Sequence, residues 1–345
     1  MPISIDLFSD TLTKPSAAMR QAMAGAEVGD EQKFEDPTTL RLEERVAELL
    51  GKEAALFAIS GTMCNQMAFA VHCRPGDEIL CDETSHPANA ECAGAAVFAG
   101  AQLRTLRGER GVFTAAQVEE GIRAPFRLAP VSRLVSIEQT ANLAGGTVWP
   151  LETVRAVCEV AHQAGLAVHM DGARLFNAVA ASRVPAREYA RTVESVWIDL
   201  SKGLGCAVGA VLAGTKAFIQ EAWRWKQRLG GAMRQSGILA AAGLYALDHH
   251  LERLHDDHAH ARLFAERIAG SRGVKIDPAS VESNIVVIEV TGPGFGPAEL
   301  LQRLAARGVR LSPVFKRHVR AVTHLDISRA QVEEAARAFR EECGG

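Results

Sequence analysis

Short apolar runs alternate with stretches of helical periodicity along most of the chain. The runs typical of buried strands lie at residues 54–59, 78–81, 95–99, 134–137, 166–170, 196–200 and 208–213. Helical patterns occupy residues 15–24, 37–50, 63–72 and 151–162. The second of these begins at Asp36 and Pro37, a favourable cap and first position, and ends at Gly51. This alternation predicts an α/β fold whose mostly parallel sheet is covered by helices on both faces.

The pattern changes towards the C-terminus. Residues 235–268 form one long helical pattern with a polar middle, and they are expected to lead into a smaller unit. There, strands are predicted at 284–290 and 319–325, a helix at 297–306, and a final helix that opens with the capping box of Ser328 and Gln331. We therefore expect an N-terminal segment (1–14), a large domain (15–245) and a small α/β C-terminal domain (246–345). Residues 291–297 are the predicted mobile connector.

Composition excludes several classes of protein. The 345 residues carry 38 basic and 41 acidic side chains with no basic stripe, which argues against nucleic acid and anionic membranes as main partners. No apolar stretch approaches the roughly 20 residues that a membrane span needs. The seven cysteines form no C-x-x-C pair, which argues against a disulfide framework and against a zinc site. We expect a cytoplasmic protein without a metal.

One strand end carries an unusual lysine. The apolar run 196–200 is followed by Ser201, Lys202 and a glycine-rich turn. Burial disfavours the ammonium form of a lysine and makes the neutral amine available for a Schiff base. The alternative is a lysine whose stem lies along the apolar strand end while its amine reaches water. The stretch alone does not decide between them.

Polar residues also follow other predicted strands. Ser60, Gly61 and Thr62 come after one strand and begin a helix, where backbone N–H groups and the helix dipole can hold a phosphate; the alternative is a simple helix cap. Asp171 ends another strand. A carboxylate there needs a positive partner, either Arg174 or a protonated ring nitrogen, and the second choice leaves Arg174 free for an anionic substrate group.

These strand ends are expected to meet, because ligands of parallel sheets bind at the carboxyl ends of the strands. A phosphate-binding turn, the loop around His86, a strand-end Asp171 and a strand-end Lys202 are together what pyridoxal 5'-phosphate needs. The lysine attaches the cofactor, the aspartate keeps its ring nitrogen protonated, and the turn anchors its phosphate. The combination predicts a pyridoxal-phosphate enzyme.

The chain also resembles a known family, the low-specificity L-threonine aldolases, over nearly its whole length. The matching motifs are Ser-Asp-Thr (9–11), Val-Gly-Asp (28–30), His86 with Glu91, His-Met-Asp-Gly-Ala-Arg-Leu-Phe-Asn-Ala (169–178), Leu-Ser-Lys-Gly-Leu-Gly (200–205), Gly-Gly-Ala-Met-Arg-Gln-Ser-Gly (230–237) and Thr-His-Leu-Asp (323–326). The resemblance implies fold type I of the pyridoxal-phosphate enzymes: a mostly parallel seven-stranded sheet in a large domain and a small C-terminal domain. It also implies a homotetramer, a dimer of dimers, with active sites at subunit boundaries.

The resemblance implies a role for each matching residue. By this reading Lys202 is the Schiff-base lysine, Asp171 the partner of the ring nitrogen and His86 the side chain stacked on the ring, near the substrate hydroxyl. Further cofactor contacts are implied for Ser60, Gly61, Thr62, Arg174, Ser201 and Arg234. The substrate is expected to meet Ser9, Lys33, Arg174 and Arg320. The plainer alternatives are a loop histidine at 86, a surface or interface salt bridge at 234 and a strand-edge charge at 320. Glu91 is expected to be structural.

Two departures from the family pattern bear on the substrate. Lys33 and Phe34 stand where a tyrosine and a glycine are usual, and a histidine expected shortly before Glu138 is absent. The basic loop at 315–318 is also longer than usual. Lys33 and this loop are therefore candidates for accepting an acidic or bulky β-substituent.

The expected reaction is the cleavage of an L-β-hydroxy-α-amino acid, threonine or allo-threonine by default, to glycine and an aldehyde. Two alternatives stay open. One is another pyridoxal-phosphate reaction on the same scaffold: cleavage of phenylserine or 3-hydroxyaspartate, β-elimination, transamination or racemisation. The other is a regulatory or nucleotide-binding α/β protein without catalytic activity.

Overall fold

The computed structural model describes residues 2–292 and 296–344. Its strands are β1 (Ile5–Asp6), β2 (Ala54–Ala58), β3 (Asp77–Asp82), β4 (Gln102–Leu106), β5 (Val131–Glu138), β6 (Ala167–Gly172), β7 (Ser195–Asp199), β8 (Ala210–Gly214), β9 (Val274–Lys275), β10 (Ile285–Val290), β11 (Val309–Arg310), β12 (Ser312–Val314) and β13 (His318–Val322). Its α-helices are α1 (Ala17–Ala24), α2 (Pro37–Leu50), α3 (Gly61–His72), α4 (His86–Asn89), α5 (Ala115–Gly121), α6 (Leu151–Gln163), α7 (Leu175–Ser182), α8 (Ala186–Ala190), α9 (Lys216–Arg228), α10 (Gly237–His249), α11 (Leu254–Ile268), α12 (Pro297–Ala306) and α13 (Arg329–Glu342).

A seven-stranded sheet lies at the centre of the larger part. Its strand order is β2-β8-β7-β6-β5-β3-β4, and only β8 runs antiparallel to its neighbours. Because β8 is antiparallel to both β2 and β7, the strands β2, β3, β5, β6 and β7 all end at one edge. The predicted mostly parallel sheet is confirmed, and the functional candidates at its strand ends share that edge.

The C-terminal part has a sheet and an apolar core of its own. Strands β12, β13, β10 and β9 pair antiparallel in that order, and helices α11, α12 and α13 contribute side chains to the core beneath them. The N-terminal segment joins this core: β1 pairs with β11, and Ile5 and Leu7 are buried there. Among the described helices, none combines the length and apolarity that a membrane crossing requires.

The predicted helix boundaries of α2 and α13 are confirmed. The Asp36 carboxylate caps α2 by accepting from the Thr39 N–H at 2.9 Å, and Gly51 ends that helix with a φ of 64°. The Ser328 and Gln331 capping box opens α13 as expected. The middle of the predicted mobile connector at 291–297 lies outside the described residues.

Three predictions fail. Residues 95–99 form a π-helical turn instead of a strand, because small alanines there pack against α3 and are flanked by Gly94 and Gly100. Strand β4 was not predicted, since it lies at the sheet edge with mostly exposed or half-buried side chains. The long pattern at 235–268 is two helices, α10 and α11. Its polar middle breaks where buried His250 donates from Nδ1 to the Leu204 carbonyl at 2.7 Å.

Candidate active site

A cavity of about 330 Å³ opens at the common edge of the strand ends. It is lined by Ser9, Thr11, Ser60, Gly61, Thr62, His86, Glu138, Asn142, Asp171, Ala173, Arg174, Trp197, Asp199, Ser201, Lys202 and Arg320. Ten of the twelve residues predicted for the site are therefore brought together. The other two, Lys33 and Arg234, do not line this cavity.

Lys202 stands inside the cavity. Its side chain is only 18% exposed, and Nζ lies 2.9 Å from Asp199 Oδ2 and 5.5 Å from the centre of the Trp197 ring. The turn around it is fixed from outside: the Thr13 hydroxyl donates to the Lys202 carbonyl at 2.9 Å, and His250 holds the Leu204 carbonyl. The amine is thus directed into the cavity and does not extend into bulk water.

Asp171 is buried beside this amine. Asn65 Nδ2 donates to its Oδ2 at 2.8 Å, and the Ala173 N–H donates to its Oδ1 at 3.0 Å. Burial raises the pKa of the Asp171 carboxyl, against the lowering effects of the Asn65 hydrogen bond and of the charges on His86 and Lys202. Within the described chain, no salt bridge neutralises this carboxyl, so a cation entering the cavity would stabilise its ionised form.

Arg174 does not supply that cation. Its guanidinium binds Asp10 in a buried bidentate pair, with Nε to Oδ2 at 2.8 Å and Nη2 to Oδ1 at 2.7 Å. The interpretation that Arg174 pairs with Asp171 is therefore wrong. Its remaining Nη1 donates to Asn142 Oδ1 at 3.3 Å in the cavity wall, and the binding of an anionic substrate group by Arg174 stays a prediction.

Arg320 completes the arginine pair from the other sheet. Its Nη1 donates to the same Asn142 Oδ1 at 2.9 Å, and its Nε donates to the Ser312 hydroxyl at 3.2 Å. Burial and the nearby Arg174 charge lower the pKa of Arg320 to about 10. Two desolvated guanidinium groups that share one amide oxygen favour the entry of an anion, and a carboxylate matches their planar donors.

His86 is linked to Asp171 through a buried polar network. Its Nδ1 lies 2.8 Å from Glu91 Oε1, and Asn65 Nδ2 donates to that same oxygen at 2.7 Å. Asn65 thus bridges Glu91 and Asp171, while its Oδ1 accepts from the Trp197 indole N–H at 2.7 Å. The hydrogen bond that His86 donates to Glu91 raises the pKa of His86, against the lowering effect of burial.

The turn at 60–62 begins α3 at the cavity wall. The Ser60 hydroxyl caps the helix by accepting from the Met63 N–H at 3.2 Å. A Cβ on Gly61 would lie 2.0 Å from the Trp197 ring, so only glycine lets the backbone approach this closely. Thr62 is exposed on the first turn. Backbone N–H groups and the helix dipole are directed at this point, which suits an anion such as phosphate.

Ser9 and Ser201 line the cavity with their hydroxyls already engaged. Ser9 Oγ accepts from the Thr11 N–H at 3.2 Å and from the Thr11 hydroxyl at 2.9 Å, which leaves its own proton to donate. Ser201 donates from its hydroxyl to Asp199 Oδ1 at 2.9 Å. Asp199 therefore holds both residues of the Ser-Lys pair.

Lys33 and Arg234 lie together on another surface. Arg234 is 61% exposed and its Nη1 lies 3.0 Å from Asp30 Oδ2, while Lys33 is exposed. Glu31 ties the two segments, because its backbone N–H donates to the Arg234 carbonyl at 2.9 Å and its carboxylate pairs with fully buried Lys226.

Sequence reasoning missed the residues that position the others. These are Asp10, Asn65, Asn142 and Asp199. Asp199 carried a signal, since it lies three residues before Lys202 at a buried strand end. The others act through contacts between distant parts of the chain. Such contacts cannot be predicted from the spacing of residues in the sequence.

The donor set fits pyridoxal 5'-phosphate. An amine, a buried carboxyl without an ion pair among the described residues, and a helix start with an obligatory glycine converge on one cavity. These are partners for an aldehyde, a protonated ring nitrogen and a phosphate, respectively.

Comparisons with known proteins agree with this geometry. The sequence model of the beta-eliminating lyase family matches residues 6–291. A probable low-specificity L-threonine aldolase 2 of Arabidopsis thaliana is 41% identical over 97% of this chain and 96% of its own length. The low specificity L-threonine aldolase of Escherichia coli K12 is 40% identical over 97% and 98%.

A solved structure shares the fold. It is a putative L-allo-threonine aldolase of Listeria monocytogenes, with a TM-score of 0.82 at 23% identity, over 99% of this chain and 96% of that one. The chain therefore belongs to the beta-eliminating lyase family and, within it, to the low-specificity L-threonine aldolases, which are pyridoxal-phosphate-dependent lyases of fold type I.

Proposed function

We propose that this chain cleaves an L-β-hydroxy-α-amino acid to glycine and an aldehyde, with threonine or allo-threonine as the default substrate. One observation carries the proposal: Lys202, Asp171, His86 and the pair of Arg174 and Arg320 line a single cavity. Relatives that are about 40% identical over nearly the whole chain are named for this activity on threonine, which supports the same choice.

The cofactor would be held by the residues of the sheet edge. Lys202 Nζ would attach it, Asp171 would face its ring nitrogen, and the turn at 60–62 would bind its phosphate, with Ser201 beside the lysine. His86 would stack on the ring. When bound, the cofactor stabilises negative charge that develops at the α-carbon of the attached amino acid. Asp171 assists because its negative charge favours the protonated ring nitrogen.

The substrate carboxylate would bind between Arg174 and Arg320, with Ser9 as a further donor. Asn142 Oδ1 accepts from both guanidinium groups and so fixes their spacing. Arg320 Nη2 makes no hydrogen bond with the described residues, so it remains available to an incoming anion. This anchoring would orient the bond between the α- and β-carbons for cleavage.

His86 is the proposed base for the β-hydroxyl. The carboxylate of Glu91 accepts from Nδ1–H, which leaves Nε2 as the nitrogen that takes a proton. The hydroxyl proton would move to Nε2 directly or through a water, and the aldehyde would then separate. Because Glu91 stabilises the imidazolium, the proton is held after transfer and is available for return.

A substrate panel tests the proposal. Purified protein is offered L-threonine, L-allo-threonine, phenylserine and 3-hydroxyaspartate, and glycine, aldehyde, keto acid and ammonia are each measured. We expect equal amounts of glycine and aldehyde from at least one of these. Ammonia in place of glycine as the main nitrogen-containing product from all four would contradict the proposal.

The second candidate is β-elimination on the same scaffold, which the name of the matching family favours. It would release keto acid and ammonia, so the same panel separates the two reactions. A protein without catalytic activity is the remaining alternative. It would be colourless after incubation with the cofactor and dialysis, whereas the enzyme would be yellow.

We further propose a homotetramer in which Lys33 and Arg234 reach the cavity of a neighbouring copy. The support is that both are exposed, tied together by Glu31, and outside their own cavity. Arg234 would then assist the phosphate site. Mixing Lys202→Ala and Arg234→Ala subunits tests this: hybrids should regain activity that neither variant has alone. No regain in proven hybrids would contradict it.

Lys33 is the proposed selector of the β-substituent. In Lys33→Ala we expect a larger loss with 3-hydroxyaspartate than with threonine or phenylserine, since the ammonium would pair with the extra carboxylate. The matched control is Lys14→Ala, another exposed lysine that does not line the cavity. An equal loss for all three substrates would show that Lys33 does not select.

The domain limits and the location of the protein are also proposals. The proposed large domain at 15–245 and small one at 246–345 are supported in outline by two separate apolar cores, although Ala246, Leu247 and Leu254 pack in the larger core. Ile5 and Leu7 of the segment 1–14 pack in the smaller one. A cytoplasmic location is supported by seven cysteines that are all free.

A further inference from the structure

Glu138 is a cavity residue to which the reaction above gives no task. It ends β5 and lies directly beside Asp171 of β6 in the strand register. It lines the same cavity as Lys202 and His86, and only 7% of the residue is exposed. A buried carboxyl in the centre of a site needs a partner.

The described residues provide little for this carboxyl. Its one hydrogen bond is weak: the Asn142 N–H donates to Oε2 at 3.3 Å. The nearby cations are engaged elsewhere, since Arg174 binds Asp10 and His86 binds Glu91. No salt bridge within 4.0 Å involves Glu138 among the residues that the structure covers.

The surroundings of Glu138 favour the neutral, protonated form of its carboxyl. Burial and the adjacent Asp171 charge raise the pKa of its carboxyl to about 8, against the lowering effects of His86, the Asn142 N–H and Arg174. A carboxylic acid has an O–H donor as well as acceptor oxygens. Apart from the Asn142 N–H, no described residue is hydrogen-bonded to the Glu138 side chain, so its O–H is available to a ligand that binds in the cavity.

We propose that Glu138 is a binding residue that donates its carboxylic O–H to an anionic oxygen of the bound cofactor–substrate pair. Two oxygens have this chemistry, the phenolic oxygen of the cofactor ring and the substrate carboxylate. Both are anions in neutral solution, and a hydrogen bond from an acid to an anionic oxygen is short and strong. The inference depends on the proposed pyridoxal-phosphate chemistry of this cavity.

The donor sets a limit at high pH. The charged groups that face Glu138 are Asp171 on β6, His86 after β3 and Arg174 at the start of α7. As the pH rises through about 8, Glu138 loses its proton and becomes an anion beside the anionic ligand oxygen. Above that pH, ligand affinity in the wild-type protein should therefore fall relative to a variant that cannot titrate at position 138, because a donor is replaced by a like charge.

Two variants of Glu138 separate the contribution of its hydrogen-bond donor to ligand binding from the contribution of its size and shape. Glu138→Gln keeps an N–H donor and removes the titration, whereas Glu138→Leu keeps the bulk and removes the donor. The matched control is Glu43→Gln. Glu43 is half-buried and its pKa is likewise raised to about 8 by desolvation, but it lies outside this cavity. Circular dichroism and thermal melts establish that each variant is folded.

The readouts are binding constants from pH 6.5 to 9.5. The first arm titrates cofactor-free protein with pyridoxal phosphate and reports the ring oxygen. The second arm titrates the cofactor-loaded protein with glycine and reports the carboxylate. Loss of one hydrogen bond to a charged group predicts roughly tenfold weaker binding in Glu138→Leu, in whichever arm contains the accepting oxygen. At neutral pH Glu138→Gln should stay within about threefold of wild type, and above about pH 8 the ratio of its affinity to that of wild type should rise, because only the wild type loses the Glu138 proton.

The outcomes are distinguishable from a failure of the aldolase proposal, because neither arm measures cleavage. Equal weakening in Glu138→Gln and Glu138→Leu would overturn the donor role, as would unchanged binding in both arms for Glu138→Leu. A wild-type affinity that does not fall at high pH relative to that of Glu138→Gln would also overturn it. Weaker binding in Glu43→Gln would show that the effect comes from the fold.

Discussion

The two sides of the cavity are built from different parts of the chain. The sheet side consists of Asp171, Lys202 and the turn at 60–62, all at strand ends of the seven-stranded sheet. Its polar groups are joined by Asn65, a fully buried amide that donates to Asp171 and Glu91. The residues named for this side all come from the part of the chain that contains the seven-stranded sheet.

The arginine side is assembled from distant segments. Arg174 precedes α7 and is held by Asp10 from the N-terminal segment, while Arg320 comes from β13 of the smaller sheet. Asn142, from the loop after β5, links the two. The contrast indicates that most cofactor contacts come from one part of the chain, with Arg234 of a neighbouring copy as the proposed addition, whereas the arginine side depends on how the two parts of the chain meet. Substitutions should therefore separate cofactor binding from substrate binding.

The largest effect is expected on the sheet side, in Lys202→Ala. Without the amine at this position, the rate of cleavage should fall by several orders of magnitude, because the group that attaches the cofactor is lost. The rate of aldehyde release measures it. Lys216→Ala, at an exposed lysine outside the cavity, is the control and should keep its activity. Comparable rates of aldehyde release in the two variants would show that Lys202 is not a catalytic residue.

Asn65→Ala should come next. It removes the amide that donates to both Asp171 and Glu91, which is expected to weaken pyridoxal-phosphate binding roughly tenfold and to destabilise the fold by about 1–3 kcal/mol. Cofactor titration and thermal unfolding measure the two effects. Gln66→Ala is the matched control, since Gln66 donates only to Glu91. The same cofactor affinity in both variants would contradict the bridging role.

Arg320→Lys should reveal the arginine side alone. A lysine lacks the planar fork of a guanidinium, so KM for the amino acid should rise about tenfold while cofactor affinity stays unchanged. Arg174 is unsuitable for this test, because its removal would leave Asp10 buried and unpaired at a cost of about 3–5 kcal/mol. A loss of cofactor in Arg320→Lys would show that the two sides are not separable.

The smallest effect is a shift in pH dependence in Glu91→Gln. Glu91 raises the pKa of His86, so a neutral amide at this position should lower that pKa. The base is active when deprotonated, and the acid limb of kcat/KM should therefore move to lower pH, by on the order of one unit or less. A limb that stays in place, with the variant still folded, would exclude His86 as the titrating base.

Much of the fold could be predicted because local signals and tertiary structure agree. The cap at Asp36, the end at Gly51 and the buried strands all have short-range causes. The failures have long-range ones. Residues 95–99 bend because their alanines pack on α3, and the helical pattern at 235–268 breaks because His250 binds the turn after Lys202.

The candidate site divides in the same way. Residues at strand ends, such as Asp171 and Lys202, could be identified from sequence because the sheet topology gathers them at one edge. The residues that hold them could not. Asn65 in a helix and Asp10 near the N-terminus have no local feature that distinguishes them, since their partners lie more than 100 residues away.

Borohydride reduction of the cofactor-loaded protein tests directly whether Lys202 is the lysine that attaches the cofactor. Reduction fixes the cofactor to the lysine that bears it, and peptide mapping by mass spectrometry then identifies that residue. We expect a yellow protein that loses its colour on reduction and carries the label on Lys202. A label on any other lysine, or no label on a folded protein incubated with the cofactor, would contradict it.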